Sequence, residues 1–116
     1  MSLTAQHHEL LEQLQALEAE MRALALWSTM PPSPEAMAST MPFMYDTLKF
    51  HQWLQWVFVP RLRALVDAGS PVPGNCHTHA LGEHEFAQLA PLDCRRLLAQ
   101  LQKIDHLLNN GPTPSA

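Results

Sequence analysis

Leu3, His7, Leu10, Leu14, Leu17, Met21 and Leu24 recur at intervals of 4, 3, 4, 3, 4 and 3 residues. This is the period of one stripe along an α-helix. Ala, Gln, Glu and Leu fill the positions between them with strong helix formers, and Thr4 is placed to cap the N-terminus. The pattern predicts a helix over residues 4–26. Its seam resembles a coiled-coil repeat, but so short a run suits a helix packed in a bundle better. One apolar face needs others to cover it, and the rest of the chain must supply them.

Proline sets where the remaining elements can lie. Residues 28–42 hold four of the ten prolines and no apolar periodicity, which marks a long loop. A second break at residues 69–79 carries Pro71, Pro73 and Gly74. Between these breaks, Phe50, Trp53, Leu54, Val57, Phe58, Leu62 and Leu65 make a segment apolar almost all round, as expected of a central helix over 48–68. Pro60 falls inside it and should bend it, because proline removes a backbone donor. A short helix interrupted near Gly82 is expected within 79–90. The last helix is expected over 91–109, with Pro91 in its first turn and Cys94, Leu97, Leu101, Ile104 and Leu108 along one face. The expected fold is all-α, a small up-and-down bundle of three main helices plus one short helix. It forms a single domain over residues 1–110, with residues 111–116 as a disordered tail.

Composition narrows the function classes. A 116-residue chain with 47% hydrophobic residues can bury a real core without staples. Seven Lys plus Arg against eleven Asp plus Glu give a net charge of −4, which lacks the basic footprint of a general nucleic-acid or anionic-membrane binder. No apolar run approaches the ~18 residues of a membrane span, and the N-terminus lacks a secretory pattern, so a cytoplasmic protein is expected. Cys76 and Cys94 are then expected as reduced thiols.

Three blocks carry a family resemblance: Ser39-Thr40-Met41-Pro42-Phe43 with Asp46-Thr47, then Trp53-Leu54-Gln55-Trp56-Val57, then Pro60-Arg61. With Leu14 to Glu18 upstream and Lys103-Ile104-Asp105 downstream, the chain resembles the YqcC-like family of small bacterial proteins. The resemblance implies an all-helical fold without assigned catalytic residues. It also implies a genomic association with a TruC-type tRNA pseudouridine synthase, which is not a mechanism. Residues 75–90 depart from the pattern.

Cys76-His77-Thr78-His79, with Glu83, His84, Glu85 and the more distant Cys94, offers zinc-type donors, but at no standard spacing. A solvated His-rich loop explains it more simply, so neither metal nor cofactor is expected. Cys94 lies on an apolar stripe, where an inert core thiol is expected. Ser39 and Thr40 are placed to cap a turn.

Two charges fall among apolar neighbours on a helical wheel. Arg61 lies between Leu54 and Val57, and Asp105 lies within the stripe of Cys94, Leu98 and Leu101. Buried charges must be paired, so a structural ion pair of Arg61 with Asp105, or failing that Glu18, is expected. Trp53 and Trp56 suit the core of this helix, but beside Gln52, Gln55 and Arg63 they also form a candidate binding surface, since Trp and Arg dominate interface hot spots.

The expected function is therefore that of a helical binding or adaptor protein, not an enzyme, with a protein partner such as a tRNA pseudouridine synthase. Direct RNA contact through Arg61, Arg63, Arg95 and Arg96 is a weaker reading. A ligand-binding or enzymatic pocket near Arg61, Trp53 and Trp56 is an alternative, and a self-associating homodimer through the first helix is another.

Overall fold

The N-terminal stripe does what its spacing demands. In the computed structural model, which describes residues 5–74 and 76–109, α1 (Ala5–Ala23) buries His7, Leu10, Leu14, Leu17 and Met21. Leu3, the predicted cap Thr4 and the predicted tail lie outside the described residues. His7 is accommodated because its Nε2–H donates to the Ser70 carbonyl at 3.0 Å. α1 closes with the Leu26 N–H reaching back to the Met21 carbonyl at 2.8 Å, which forces Ala25 to φ 60°. Ser70 closes α4 the same way onto Leu65, but there Gly69 holds the left-handed position at φ 66° without a Cβ in the way.

The proline-rich loop is partly ordered by its own side chains. α2 (Pro34–Met37) is a single turn whose cap Ser33 accepts the Ala36 N–H at 3.1 Å. A 3₁₀ turn follows at Pro42–Met44.

The central segment is one helical rod over residues 50–67 in three parts. α3 (Phe50–Trp53) leads into a π-helical stretch (Leu54–Phe58), and α4 (Val59–Asp67) continues from it. The Val59 N–H reaches the Leu54 carbonyl five residues back, immediately before Pro60, which has no N–H to give. The proline is thus absorbed by a wider turn. A π turn inserts one residue into the register, so everything beyond it is rotated by about 100° relative to a regular α-helix. Leu62 consequently occupies the core-facing place that an unbroken wheel assigns to Arg61, and Arg61 is exposed.

The C-terminal part departs from expectation at both helices. α5 (Thr78–Ala87) is a ten-residue helix, so four main helical segments are present where three plus a short one were expected. Gly82 does not interrupt it. A Cβ there would meet Leu101 Cδ1 at 3.0 Å and Leu98 Cδ2 at 3.1 Å, so glycine lets α5 lie close against its neighbour. That neighbour, α6 (Arg95–Asn109), starts four residues later than predicted, because Pro91 sits in a turn and the Asp93 carboxylate accepts the Arg95 N–H at 3.1 Å. Its predicted face is correct: Leu97, Leu101, Ile104 and Leu108 are all buried, with Cys94 just ahead of the helix. α6 packs against both α1 and α5, and α4 packs on α1. No strand occurs among the described residues.

Two stability changes follow. Ala25 is exposed, so Ala25→Gly removes backbone strain at little loss of packing and should stabilise the protein by about 1 kcal/mol in urea denaturation. Gly82→Leu must push α5 off α6 and should destabilise it by about 2–3 kcal/mol.

Candidate protein-binding surface

Aromatic side chains concentrate where the proline-rich loop meets α3. Phe50 stacks on Trp53 with ring centroids 5.9 Å apart, and the Phe58 ring lies 5.2 Å from Trp53. Phe43 closes the group, edge-on to Trp53 at 4.8 Å. Trp53 is left only 8% exposed, while Phe43 retains 37%. The turn that presents Phe43 is strained: Phe43 and Met44 both take positive φ, 55° and 50°. Bulky side chains seldom adopt that conformation, at a cost of about 1–3 kcal/mol each. Tethers hold it. Ser39 Oγ donates to Asp46 and accepts the Met41 N–H at 3.1 Å, the Leu48 N–H bonds the Met44 carbonyl at 2.8 Å, and Thr47 Oγ1 donates to the Ala36 carbonyl at 2.7 Å. Ser39 therefore caps the turn as its position predicted. The result is a rigid display of Met41, 40% exposed, with Phe43 and Tyr45, 61% exposed.

Beside Tyr45 lies a cleft of about 240 Å³. Leu48, Phe50, Phe86 and Leu89 back it, but most of its exposed lining is polar, and Lys49 and Glu85 supply charge. His51 also lines it; burial and the Lys49 charge lower its pKa, against a backbone hydrogen bond at Leu26 that raises it.

The residues predicted as a binding surface are mostly occupied with structure. Trp53 is core. Gln55 is buried and clamps the loop, accepting the Ser28 N–H at 2.7 Å and donating to the Ser28 carbonyl at 2.6 Å. Gln52 accepts the Lys49 N–H at 2.8 Å and so caps α3. Trp56 is half-buried, and its Nε1 has no hydrogen-bond partner. Arg63 pairs with Glu18 at 3.0 Å, tying α4 to α1, and Arg22 joins the same carboxylate at 2.9 Å. Burial alone would raise the Glu18 pKa, but hydrogen bonds from Arg63 and Arg22 outweigh it and lower the value. Arg22 also lies over the Trp27 ring at 5.2 Å, a contact that no spacing rule in the sequence announces. Trp53 is covered while Arg61 is exposed, which speaks against the expected pocket shared by Arg61, Trp53 and Trp56.

The ion pair of Arg61 with Asp105 or Glu18 is also corrected. Asp105 is buried as its wheel position required, but its oxygens accept the Thr78 N–H at 3.0 Å, the Thr78 hydroxyl, and the His79 N–H at 2.8 Å. It caps the N-terminus of α5 from α6, where the helix dipole favours a negative charge. Asn109 grips Cys76, two residues before α5, donating from Nδ2 to its carbonyl at 2.7 Å and accepting its N–H at Oδ1. Burial, with the Asp105 charge adding to it, pushes the Cys76 thiol up to about 12. Such a thiol stays protonated at neutral pH. Among the described residues no three His, Cys, Asp or Glu side chains gather on one point, and His79 is placed 3.3 Å from Glu83 instead. Burial likewise raises Cys94.

The family described as tRNA pseudouridine synthase C matches residues 9–107. The chain belongs to that family. Among curated relatives, the uncharacterized protein YqcC of Escherichia coli is 39% identical over 103 residues, covering 87% of this chain and 92% of its own. An uncharacterized protein of Haemophilus influenzae is 38% identical over 100 residues, covering 86% and 92%. A tRNA pseudouridine synthase C of Pectobacterium carotovorum matches over 57 residues at 46% identity, 49% of this chain but only 15% of that enzyme. The solution NMR structure of E. coli YqcC superposes with a TM-score of 0.83 at 34% identity, covering 97% of this chain and 96% of that one. The YqcC-like resemblance and the all-α fold are thereby established.

Asp105→Ala should lower stability by about 2–3 kcal/mol in chemical denaturation, because it strands the N–H groups that begin α5. Arg61→Ala should stay within about 0.5 kcal/mol of wild type.

Proposed function

We propose that this chain is a helical protein-binding module that serves a tRNA pseudouridine synthase and has no catalytic role of its own. The observation that carries this reading is the 57-residue match within a tRNA pseudouridine synthase C. A module joined to an enzyme in one polypeptide acts at an effective concentration on the order of millimolar. A separate chain of the same kind needs an adhesive surface to reach the same proximity.

Charge supports a protein partner over bare RNA. Of the arginines that would make an RNA patch, Arg63 is engaged by Glu18 and Arg95 is held by Asp93 at 2.8 Å. A net charge of −4 further disfavours contact with a bare phosphate backbone. The place of action on this reading is the cytoplasm, where the tRNA substrate is.

Isothermal titration of the purified chain into the tRNA pseudouridine synthase C of the same organism, with nuclease-treated samples, is the test. A complex with a Kd of about 1 μM or tighter is expected. Absence of binding to the synthase, or binding that disappears with nuclease, would overturn the proposal.

A further inference from the structure

We infer that the synthase docks on the face formed by the left-handed turn at Phe43–Met44 and the adjoining cleft, through a bulky side chain flanked by Lys and Arg. This inference rests on the function proposed above and assigns the surface that performs it.

Met41, Phe43 and Tyr45 project from a turn only a few residues long, which the hydrogen bonds of Ser39, Thr47 and Leu48 hold in its left-handed shape. Relaxing the turn would remove the Phe43 ring from Trp53 and from its exposed position. The ring has a firm base, since Trp53 beneath it is stacked on Phe50 and flanked by Phe58. An exposed aromatic on a rigid support loses little conformational freedom on binding, which is what an interface anchor requires.

The cleft supplies the reciprocal feature. Its volume of about 240 Å³ suits one bulky side chain rather than a cofactor, and Phe50 belongs both to its lining and to the base of the turn. Knob and socket are therefore parts of one surface.

Charge then selects the occupant. Asp46 follows Tyr45, Glu35 adjoins Ala36, whose carbonyl is tied to Thr47, and Glu85 lines the cleft. Against these three carboxylates stands Lys49. The exposed side chains of the turn thus adjoin a mostly polar cleft with an acidic border, which complements a patch bordered by Lys and Arg. An enzyme that binds tRNA must carry basic residues to hold the phosphate backbone, so such borders are available on it. A second copy of this acidic chain would set carboxylates against carboxylates.

The test is titration of the purified synthase with wild type, with the double variant Met41→Ser/Tyr45→Ser, with Phe43→Asn and with Glu85→Lys. Asn tolerates the left-handed conformation, so Phe43→Asn removes the ring while keeping the turn. Lys103→Ala, on exposed α6 surface, is the control. Circular dichroism and thermal midpoints establish that each variant is folded. The double variant and Phe43→Asn should each weaken binding by about tenfold or more, and Glu85→Lys should weaken it most at low salt, while Lys103→Ala changes nothing. Wild-type affinity in the folded double variant overturns this surface and leaves the proposed function standing. A free wild-type dimer that the double variant dissociates, with synthase affinity unchanged, assigns the face to a second copy and also overturns it. Failure of wild type to bind the synthase removes both readings.

Discussion

The missing N–H of Pro60 governs the register of the central rod. A regular α-helix would require that donor, and the π-helical stretch at Leu54–Phe58 widens the backbone where it is lacking. The widening lets the first half of the rod pack Phe50 and Trp53 against the loop while the second half turns Leu62 and Val66 into the bundle. Without that rotation Arg61 would point into the core, and no carboxylate waits there for it. The buried acid, Asp105, is already committed to α5.

Charge burial elsewhere follows one rule: a carboxylate goes inside only where donors are fixed around it. Asp105 meets the N–H groups at the start of α5, whose positions the backbone sets. Glu18, nearer the surface, meets the guanidinium groups of Arg22 and Arg63. A backbone cap and an arginine pair have different consequences. The cap decides where α5 begins, whereas an arginine pair near water contributes modestly and weakens with salt.

The parts of this fold legible in the sequence are those set by local period. The α1 stripe from His7 to Met21 and the face of α6 came through, because unbroken helices obey the wheel on which those readings depend. Arg61 was misplaced for the converse reason: a π turn changes the phase, and its register shift cannot be read from side-chain types. α5 was underestimated because Gly82 is a weak helix former, and its benefit, close approach to Leu101, exists only once α6 is in place. At the candidate surface, Gln52, Trp53 and Gln55 were read as contact residues, whereas the structure uses them for capping, core and loop clamping, and Phe43 was not singled out. Which ring covers which depends on the left-handed turn at Phe43, a conformation that no propensity scale assigns to phenylalanine.

The Gln55 amide has a wider consequence. By gripping both backbone groups of Ser28, it divides the long connection between α1 and α3 into a short lead and a second span that ends at the Thr47 tether. A side chain of the central rod thus serves as a mooring point, and each span closes a smaller loop than the whole connection would. Sequence drift in the stretch just after the mooring, around Pro31 and Pro32, is thereby insulated from the turn at Phe43. That gives the chain a place to vary in length while the geometry at its far end stays constant.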